Sequence, residues 1–250
     1  MRSLVLALTL AAGHADAHVA PSVDDNNRYL KLTPLGDRIR LAYTVFYGDI
    51  PGAGLRRTID RNHDGTIDEA ESQAFGTGLA AELAAALEVT LDGVKQPVAW
   101  SQVVVGMGTP DTVAGTFSID LVSWLCLPAV RGKHAVRLRD RFRLANPGET
   151  EVKVEDSPGV TVDRARIGAA DDPSLDFKMV GGGGALAEDG LDLQFTAGPA
   201  AVVTADGVCQ AGSPRRAIPA AALIGAAAVS AFVLAGLVTL VARRRRRSAR

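Results

Sequence analysis

The sequence predicts an α+β fold, in which an antiparallel β-sandwich carries one inserted EF-hand and is followed by one C-terminal transmembrane helix. Three observations lead to this class. Short segments of alternating polarity recur along the chain, residues 60–71 match a calcium-binding loop, and residues 217–242 form an uncharged apolar stretch. Short strands at this spacing are also typical of an immunoglobulin-like sandwich, which we keep as one candidate arrangement.

The N-terminus has the features of a secretory signal peptide. Arg2 precedes an apolar run over residues 4–12, and residues 15–17 read Ala-Asp-Ala, which fits a cleavage site. The run is too short to span a bilayer as an anchor. We therefore expect residues 1–17 to be removed, residues 18–216 to form an extracytoplasmic domain, and His18 to be the mature N-terminus.

The first predicted strands form a hairpin. Residues 29–32 and 38–46 largely alternate polar and apolar side chains, and residues 34–37 between them read Pro-Leu-Gly-Asp. Alternation places the apolar side chains on one face of each strand, and the intervening residues favour a turn. The pattern predicts a β-hairpin with one buried face.

Residues 60–71 match every constrained position of the EF-hand calcium loop. Gly65 lies at position 6, where the backbone turns sharply with positive φ, and Ile67 is the apolar anchor of the loop. The alternative is a solvated acidic turn, which explains Gly65 but neither Glu71 nor Ile67. The pattern therefore predicts a Ca²⁺ site with these oxygen ligands, Thr66 contributing its main-chain carbonyl: Asp60, Asn62, Asp64, Thr66, Asp68 and Glu71.

Helical segments are predicted on both sides of this loop, so that residues 53–87 make up the EF-hand. Residues 53–59 would form the entering helix, and the exit helix would begin at Glu69, with Gly-Thr-Gly at residues 76–78 as a predicted interruption. No second loop with this spacing occurs in the sequence, so we expect weak binding, on the order of 10⁻⁴–10⁻³ M. The exit helix has an apolar stripe that suits packing on a sheet: Phe75, Leu79, Leu83 and Leu87.

Residues 88–208 are predicted to be rich in β-strands. Asp92-Gly93 between two alternating segments is a strong hairpin signal. Trp100 and Trp124 lie in apolar strand segments and are expected in the core. Further strands are predicted at residues 98–105, 116–127, 134–144, 150–154, 160–167, 175–180, 191–196 and 201–204.

Four arginines occupy alternate positions, which places them on one face of a strand: Arg137, Arg139, Arg141 and Arg143. One hypothesis is an anion-binding stripe. The other is a surface of cross-strand ion pairs with Glu149, Glu151 and Glu155, which share a face of the next predicted strand. We favour the ion-paired surface.

The two cysteines, Cys126 and Cys209, allow two interpretations. In an exported protein they would meet an oxidising environment, where a disulfide is stable. Alternatively, Cys209 belongs to a processed sorting tail with the apolar stretch and the arginine cluster, and Cys126 is then a small buried hydrophobic residue.

The C-terminus has the features of a membrane anchor. Residues 217–242 exceed the roughly 20 apolar residues that cross a bilayer, and five consecutive arginines follow at 243–247. By the positive-inside rule, we expect residues 243–250 to form a cytoplasmic tail and the protein to be exported and anchored in the cell membrane.

Charge and motifs limit the function classes. Residues 18–216 contain 20 basic and 27 acidic residues, a net charge of −7, so nucleic acid is not an expected partner. The sequence lacks the serine-hydrolase, zinc-protease and nucleotide-binding motifs, and we expect no enzyme activity.

Several segments resemble the exported N-terminal region of nickel/cobalt transporter-type (HupE/UreJ-like) membrane proteins. The segments are residues 27–29, 37–44, 50–51, the calcium-loop-like segment and 134–141, so the resemblance covers about residues 26–142. It implies an extracytoplasmic domain that senses or organises something beside the membrane. Those transporters continue into several spans with histidine ligands, which this chain lacks, so transport activity is not implied.

The predicted function is a calcium-binding, non-enzymatic binding or structural module whose protein or surface ligand is unknown. The alternative is an accessory protein for nickel, cobalt or copper handling, which rests on the resemblance and on His18, whose amine and imidazole together can chelate copper.

Overall fold

The computed structural model describes residues 24–171 and 174–209, which form a mostly β structure with three helices. The helices are α1 (Asp49–Ile59), α2 (Glu69–Ala86) and α3 (Gly184–Glu188). The strands are β1 (Asn26–Pro34), β2 (Arg38–Tyr47), β3 (Leu87–Leu91), β4 (Val94–Gln96), β5 (Trp100–Gly106), β6 (Phe117–Cys126), β7 (Gly132–Asp140), β8 (Pro147–Val154), β9 (Val160–Ile167), β10 (Ala170–Asp171), β11 (Asp176–Val180) and β12 (Leu191–Ala197).

The strands form two six-stranded sheets. The first has the order β11-β8-β1-β2-β6-β5, and the second has the order β10-β9-β12-β7-β3-β4. All neighbouring strands are antiparallel except β1 and β8, where Leu30 pairs with Val152 in a parallel register. This parallel pair corrects the expectation of a purely antiparallel sandwich. It arises because β8 returns to the first sheet only after β7 has crossed to the second.

The alternating pattern explains which side chains form the core. Along β1 and β2 the buried residues alternate with half-buried ones, and Leu32 lies directly opposite Leu41 in the hairpin. The predicted hairpins at 29–46 and at Asp92-Gly93 are confirmed. The segment 201–204 is not a strand. Its carbonyl groups accept hydrogen bonds from outside any ladder, Val202 from the Gly36 amide and Thr204 from the Arg38 side chain.

The predicted α+β class with an inserted EF-hand is wrong, since the described chain is mostly β. Residues 53–87 do not form a self-contained helical pair, because α2 packs on β5 while α1 is fastened to residues 107–116. The predicted interruption of α2 is also absent. Gly76 lies inside the helix where an added Cβ would be only 2.6 Å from Val105 Cγ2, so the glycine permits close approach to the sheet.

The membrane predictions also need correction. The predicted span at 217–242 lies outside the described residues, and none of the helices in residues 24–171 and 174–209 is long and apolar enough to cross a bilayer. The predicted transmembrane helix, the membrane as a partner and the anchored location are therefore not supported. The predicted signal peptide at 1–17, His18 and the arginine tail at 243–250 likewise lie outside the described residues.

A buried ion pair joins the two sheets. Arg28 on β1 and Asp140 on β7 are 2.8 Å apart, and their side chains are 1% and 0% exposed. The Tyr43 hydroxyl donates to the same Asp140 oxygen at 2.7 Å, and Arg28 also donates to the Thr150 hydroxyl and to the carbonyls of Phe142 and Gly182. Each of the three guanidinium nitrogens thus donates to an acceptor, as a buried charge requires.

The arginine stripe does not form the cross-strand ion pairs that the sequence analysis favours. Strand β8 lies in the other sheet from β7, so the predicted ion pairs with Glu149, Glu151 and Glu155 do not form. Arg137 instead approaches Asp192 on β12, and Arg141 contacts Glu88 on β3. The glutamates of β8 pair with lysines, Glu151 with Lys178 and Glu155 with Lys31.

Cys126 and Cys209 form a disulfide, with their Cα atoms 5.3 Å apart. The disulfide ties the segment after β12 to the end of β6. Arg38 reinforces this closure, because its buried guanidinium contacts both Asp37 and Asp206 at 2.7 Å. The hydrogen bond to Asp206 raises the pKa of Arg38 further above its ordinary value.

Asp140→Ala should lower the free energy of unfolding by about 3–5 kcal/mol, because it leaves the Arg28 charge buried without its partner. Glu88→Ala is the control, since it removes the exposed pair with Arg141, worth about 0–1 kcal/mol. Urea unfolding of the two variants measures both values. Equal losses in the two variants would show that the buried pair contributes no more to stability than the exposed pair.

Burial, with a smaller contribution from Glu82, raises the pKa of Tyr47 to about 12. The neutral phenol is the form that the folded state favours, so its stabilising contribution is complete below the unfolded pKa of about 10 and is lost as the pH rises toward 12. We expect stability to fall more steeply between these pH values in wild type than in Tyr47→Phe. Denaturant unfolding across this range checks the expectation, and parallel curves would contradict it.

Candidate functional site

The predicted calcium loop connects α1 to α2 at the edge of the sandwich. Two of its residues have left-handed backbone, His63 with φ 60° and Gly65 with φ 87°. These residues coil the chain back on itself, as the glycine at position 6 was expected to do. The two predicted ligands at the ends of the loop are the least accessible, Asp60 at 5% exposed and Glu71 at 9%.

Hydrogen bonds from the backbone hold the first half of the loop. The carboxylate of Asp60 accepts from the amides of Asp64 and Gly65 at 3.3 and 3.0 Å. The Asn62 amide oxygen accepts from the Asp64 amide at 2.9 Å. These are local turns of the kind that Asp and Asn side chains favour.

Glu71 joins the two ends of the loop. Its amide donates to the Asp68 carboxylate at 2.8 Å, while its own carboxylate accepts from the Asp68 amide at 3.1 Å, which is a capping box at the start of α2. The other oxygen of Glu71 accepts from the Arg61 amide at 2.7 Å. One carboxylate therefore contacts both the beginning and the end of the loop.

The centre of the loop is attached to residues 107–116, which connect β5 to β6. Thr66 forms an isolated antiparallel bridge with Asp111. The Ile67 amide donates to the Pro110 carbonyl at 2.8 Å, and Thr112 donates both its amide and its hydroxyl to the Gly65 carbonyl. These bonds leave the Thr66 carbonyl, a predicted ligand, with no hydrogen-bond donor among the residues that the structure describes.

Arg56 on α1 fastens the same connection from the other side. Its side chain is fully buried and forms no ion pair within the described chain. It donates only to backbone carbonyls, and burial lowers the pKa of Arg56. The guanidinium thus organises the segment that in turn holds the loop, through these acceptors: Met107, Thr109, Asp111, Gly115 and Thr116.

The loop carboxylates accept hydrogen bonds from within the loop. The Thr66 hydroxyl and amide both donate to Asp64, and the hydrogen bond from the hydroxyl lowers the pKa of Asp64. This carboxylate therefore stays ionised to lower pH than an ordinary one. No Lys, Arg or His in the described ranges forms an ion pair with any of the four carboxylates that are predicted ligands: Asp60, Asp64, Asp68 and Glu71.

The six predicted ligands are not gathered into one cluster. Across residues 24–171 and 174–209, no three or more His, Cys, Asp or Glu side chains are grouped closely enough to hold a metal ion. The predicted ligands nevertheless supply only oxygen atoms, the donor type that a hard cation prefers.

The histidines give no support to a transition-metal site in the described residues. His134 is buried, with one ring nitrogen 2.8 Å from Asp92 and the other 2.9 Å from the Arg131 carbonyl, so both are occupied. His63 is exposed in the loop. The alternative function in transition-metal handling rests on His18, which lies outside the described residues, and it stays a prediction.

No family model matches the chain, and no curated protein does. Among solved structures, an M1 zinc metallopeptidase from Deinococcus radiodurans aligns with 69% of this chain at 11% sequence identity and a TM-score of 0.22. The chain spans 41% of the length of that protein. A likeness at this level carries no argument about fold or activity. The expected lack of enzyme activity and the HupE/UreJ-like resemblance therefore stay predictions.

The sequence pattern predicts the loop but not the residues that support it. The supporting role of Arg56 and Thr112 is not visible in the sequence, because their partners are backbone carbonyls more than forty positions away in the chain. The turn-forming residues at 109–112, Thr-Pro-Asp-Thr, indicate only that a loop lies there.

Arg56→Lys should loosen residues 107–116, because one ammonium group cannot reach the several carbonyls that the planar guanidinium serves. We expect unfolding to become easier by about 2–3 kcal/mol and amide hydrogen exchange to quicken in this segment first. Arg57→Lys, at an exposed position on the same helix, is the control. Unchanged exchange in residues 107–116 of Arg56→Lys would refute this role.

Proposed function

We propose that this chain is a calcium-binding, non-enzymatic module in which the loop at 60–71 holds the ion. One observation carries the proposal. Residues 60–71 contain five carboxylates and one arginine, Arg61, and the four carboxylates that are predicted ligands form no ion pair with a cationic side chain among the described residues. This net negative charge favours binding of a hard divalent cation.

The side chains of Asp60, Asn62, Asp64, Asp68 and Glu71 would supply ligands, and Thr66 would supply its main-chain carbonyl. Calcium, when bound, would neutralise carboxylates that otherwise repel one another. The Thr66 carbonyl suits this role because the bridge to Asp111 uses the flanking residues for its hydrogen bonds. Glu71 suits the closing position because it already reaches both ends of the loop.

The ion would act structurally. The loop is fastened to residues 107–116, and these residues are fastened to α1 by Arg56, so the calcium site, the helix and the connection to β6 form one continuous set of contacts. Binding at the loop would therefore stabilise the edge of the sandwich from which β6 begins. A second calcium loop is not needed for this support, because the bridge at Thr66 takes its place.

Isothermal titration with CaCl₂ tests the proposal, with Glu71→Gln as the informative variant. Gln preserves the capping box at the start of α2 but removes the charge and one ligand oxygen, so helix formation is spared. We expect wild type to bind with a Kd on the order of 10⁻⁴–10⁻³ M and Glu71→Gln to show no saturation in the same range.

Glu69→Gln is the matched control, because Glu69 is an exposed carboxylate in the same first turn of α2 and is not a predicted ligand. It should bind calcium like wild type. Calcium at 100 times Kd should also raise the free energy of unfolding by about 2.7 kcal/mol in wild type and in this control only. Equal binding heats for Glu71→Gln and Glu69→Gln would refute the proposal.

A further inference from the structure

Strand β5 forms one edge of the first sheet and has a strand neighbour on one side only. Residues 102–106 pair with β6 in a regular antiparallel register, after a bulge at the start of β5. Across the described ranges, the backbone of these five residues makes hydrogen bonds only within this ladder. In an edge strand, every second residue directs its amide and carbonyl away from the sheet, where they can pair with another chain.

The three other sheet edges of the described chain differ from β5. β11 carries Lys178, β4 has three residues and carries Lys95, and β10 has two residues. A lysine or a very short strand opposes pairing with another chain. β5 has seven residues, which read Trp-Ser-Gln-Val-Val-Val-Gly, with neither a charge nor a proline. It is therefore the edge on which a further strand can form.

A groove of about 540 Å³ runs between β5 and α2. Three consecutive valines of β5 form one wall, and two of them, Val103 and Val104, are 38% and 45% exposed. The volume lies within the range of binding sites in proteins. The other wall is a single face of α2, since its residues are spaced at i, i+3, i+4, i+7 and i+8: Glu69, Ser72, Gln73, Gly76 and Thr77.

Helix α2 runs in the opposite direction to β5. Trp100, at the start of β5, donates from Nε1 to the Ala80 carbonyl at 2.8 Å. Val105, near the end of β5, lies against Gly76, which comes earlier in the helix. Glu69 in the first turn of α2 therefore lies toward the C-terminal end of β5.

Alternate side chains of β5 face the helix. Val103 and Val105 pair with Leu121 and Ile119, which are buried residues of β6. A strand added beside β5 would likewise direct every second side chain into the groove, because residues i and i+2 share a face. Side chains such as valine suit these positions, since β-branched residues pack well beside one another across strands.

The charge of the groove indicates which partner fits it. Residues 60–86 contain six carboxylates and one arginine, Arg61. Within the groove the charged side chain is Glu69, which is exposed and accepts a hydrogen bond from Gln73 at 3.0 Å. It forms no ion pair with a Lys, Arg or His of the described chain. A basic side chain complements this wall, whereas a second copy would bring another acidic α2 to the same groove.

We propose that β5 and α2 bind an extended segment of a partner protein, which adds to the first sheet as a seventh strand. The segment carries valine or another β-branched residue at every second position, facing the groove, and a lysine or arginine beside Glu69. In the antiparallel orientation, its N-terminal end lies beside the C-terminal end of β5, so the basic residue precedes the apolar ones. Backbone hydrogen bonds provide affinity, and the alternate side chains provide specificity.

The probe is the peptide Lys-Thr-Val-Thr-Val-Thr-Gly with both ends blocked and a C-terminal fluorescein. Its lysine and valines occupy alternate positions and therefore share one face. Fluorescence polarisation with the calcium-free protein should show saturable binding, and two-dimensional NMR should place the shifted amides in β5 and in the first half of α2. No saturation up to about 1 mM peptide would overturn the proposal.

Two methylated forms of the peptide test whether it binds as a strand. One form has methyl groups on the amide nitrogens of the two valines, and the other has them on those of the first two threonines. Residues i and i+2 of a strand direct their amides to the same side, so only one form loses its bonds to β5. We expect that form to bind at least about tenfold more weakly and the other to bind within about twofold of the unmodified peptide. Equal affinities of the two forms would overturn strand addition.

Glu69→Gln tests the position of the basic residue. It should weaken binding of the lysine peptide about threefold, the size expected of an exposed ion pair, and leave unchanged the binding of a peptide with threonine in place of the lysine. Equal losses for the two peptides would refute the contact with Glu69. Glu71→Gln, which removes a calcium ligand, should bind the lysine peptide like wild type, so the calcium proposal and this one can fail separately.

Gln73→Lys tests the groove itself. The longer side chain fills the groove and its charge repels the basic peptide, so binding should weaken about tenfold. Ala74→Lys is the matched control, because Ala74 is the next residue of α2, is exposed, and does not line the groove. Equal peptide affinities of these two variants would overturn the proposed location, and thermal unfolding confirms that each variant is folded.

Sedimentation of the protein without peptide tests the competing occupant, a second copy of this chain. We expect a monomer at the concentrations used for the titrations. A dimer that Gln73→Lys abolishes and that the peptide dissociates would assign β5 to self-association and would overturn the proposal.

Discussion

The buried ion pair between Arg28 and Asp140 is the contact on which the sandwich depends. It connects β1 of one sheet to β7 of the other, and both charges are removed from water. Such a pair contributes little net free energy when intact, because desolvation of two charges offsets their attraction. The pair matters because any arrangement that separates the two buried charges is strongly unfavourable. Tyr43, Thr150 and the Gly182 carbonyl complete the set of partners, so the relative position of several strands is fixed at one point.

Arg56 has the corresponding role at the edge of the sandwich, with backbone carbonyls in place of a carboxylate. It orders residues 107–116, and these residues present Pro110, Asp111 and Thr112 to the acidic loop. The loop thus depends indirectly on the buried guanidinium of Arg56. The conformation of the loop itself is local, since its turns are made by Asp and Asn side chains within a few residues of their partners.

The charge pairs of the second sheet depend on strand order. Arg137 and Arg166 both approach the carboxylate of Asp192, at 3.5 and 3.8 Å. If β7 and β8 were neighbours, Glu149 and Glu151 would neutralise the arginines. Because β8 lies in the other sheet, those glutamates pair with lysines or remain beside Tyr29, where burial and their charges raise the pKa of that phenol.

Local chemistry was enough to place the hairpins, the helix starts and the acidic loop, because alternation, turn residues and a capping box act between neighbours in the chain. Local chemistry could not show that β1 and β8 would be parallel, that the arginine stripe would meet β12, or that the two helices would be held by the sandwich and not by each other. Those outcomes depend on contacts between residues far apart in the chain, such as Leu30 with Val152 and Leu138 with Leu191. The alternation of polar and apolar residues shows which face of a strand is buried. It does not show which strand lies beside it, because many strands share the same alternation, and the neighbour is decided only when the sheets assemble.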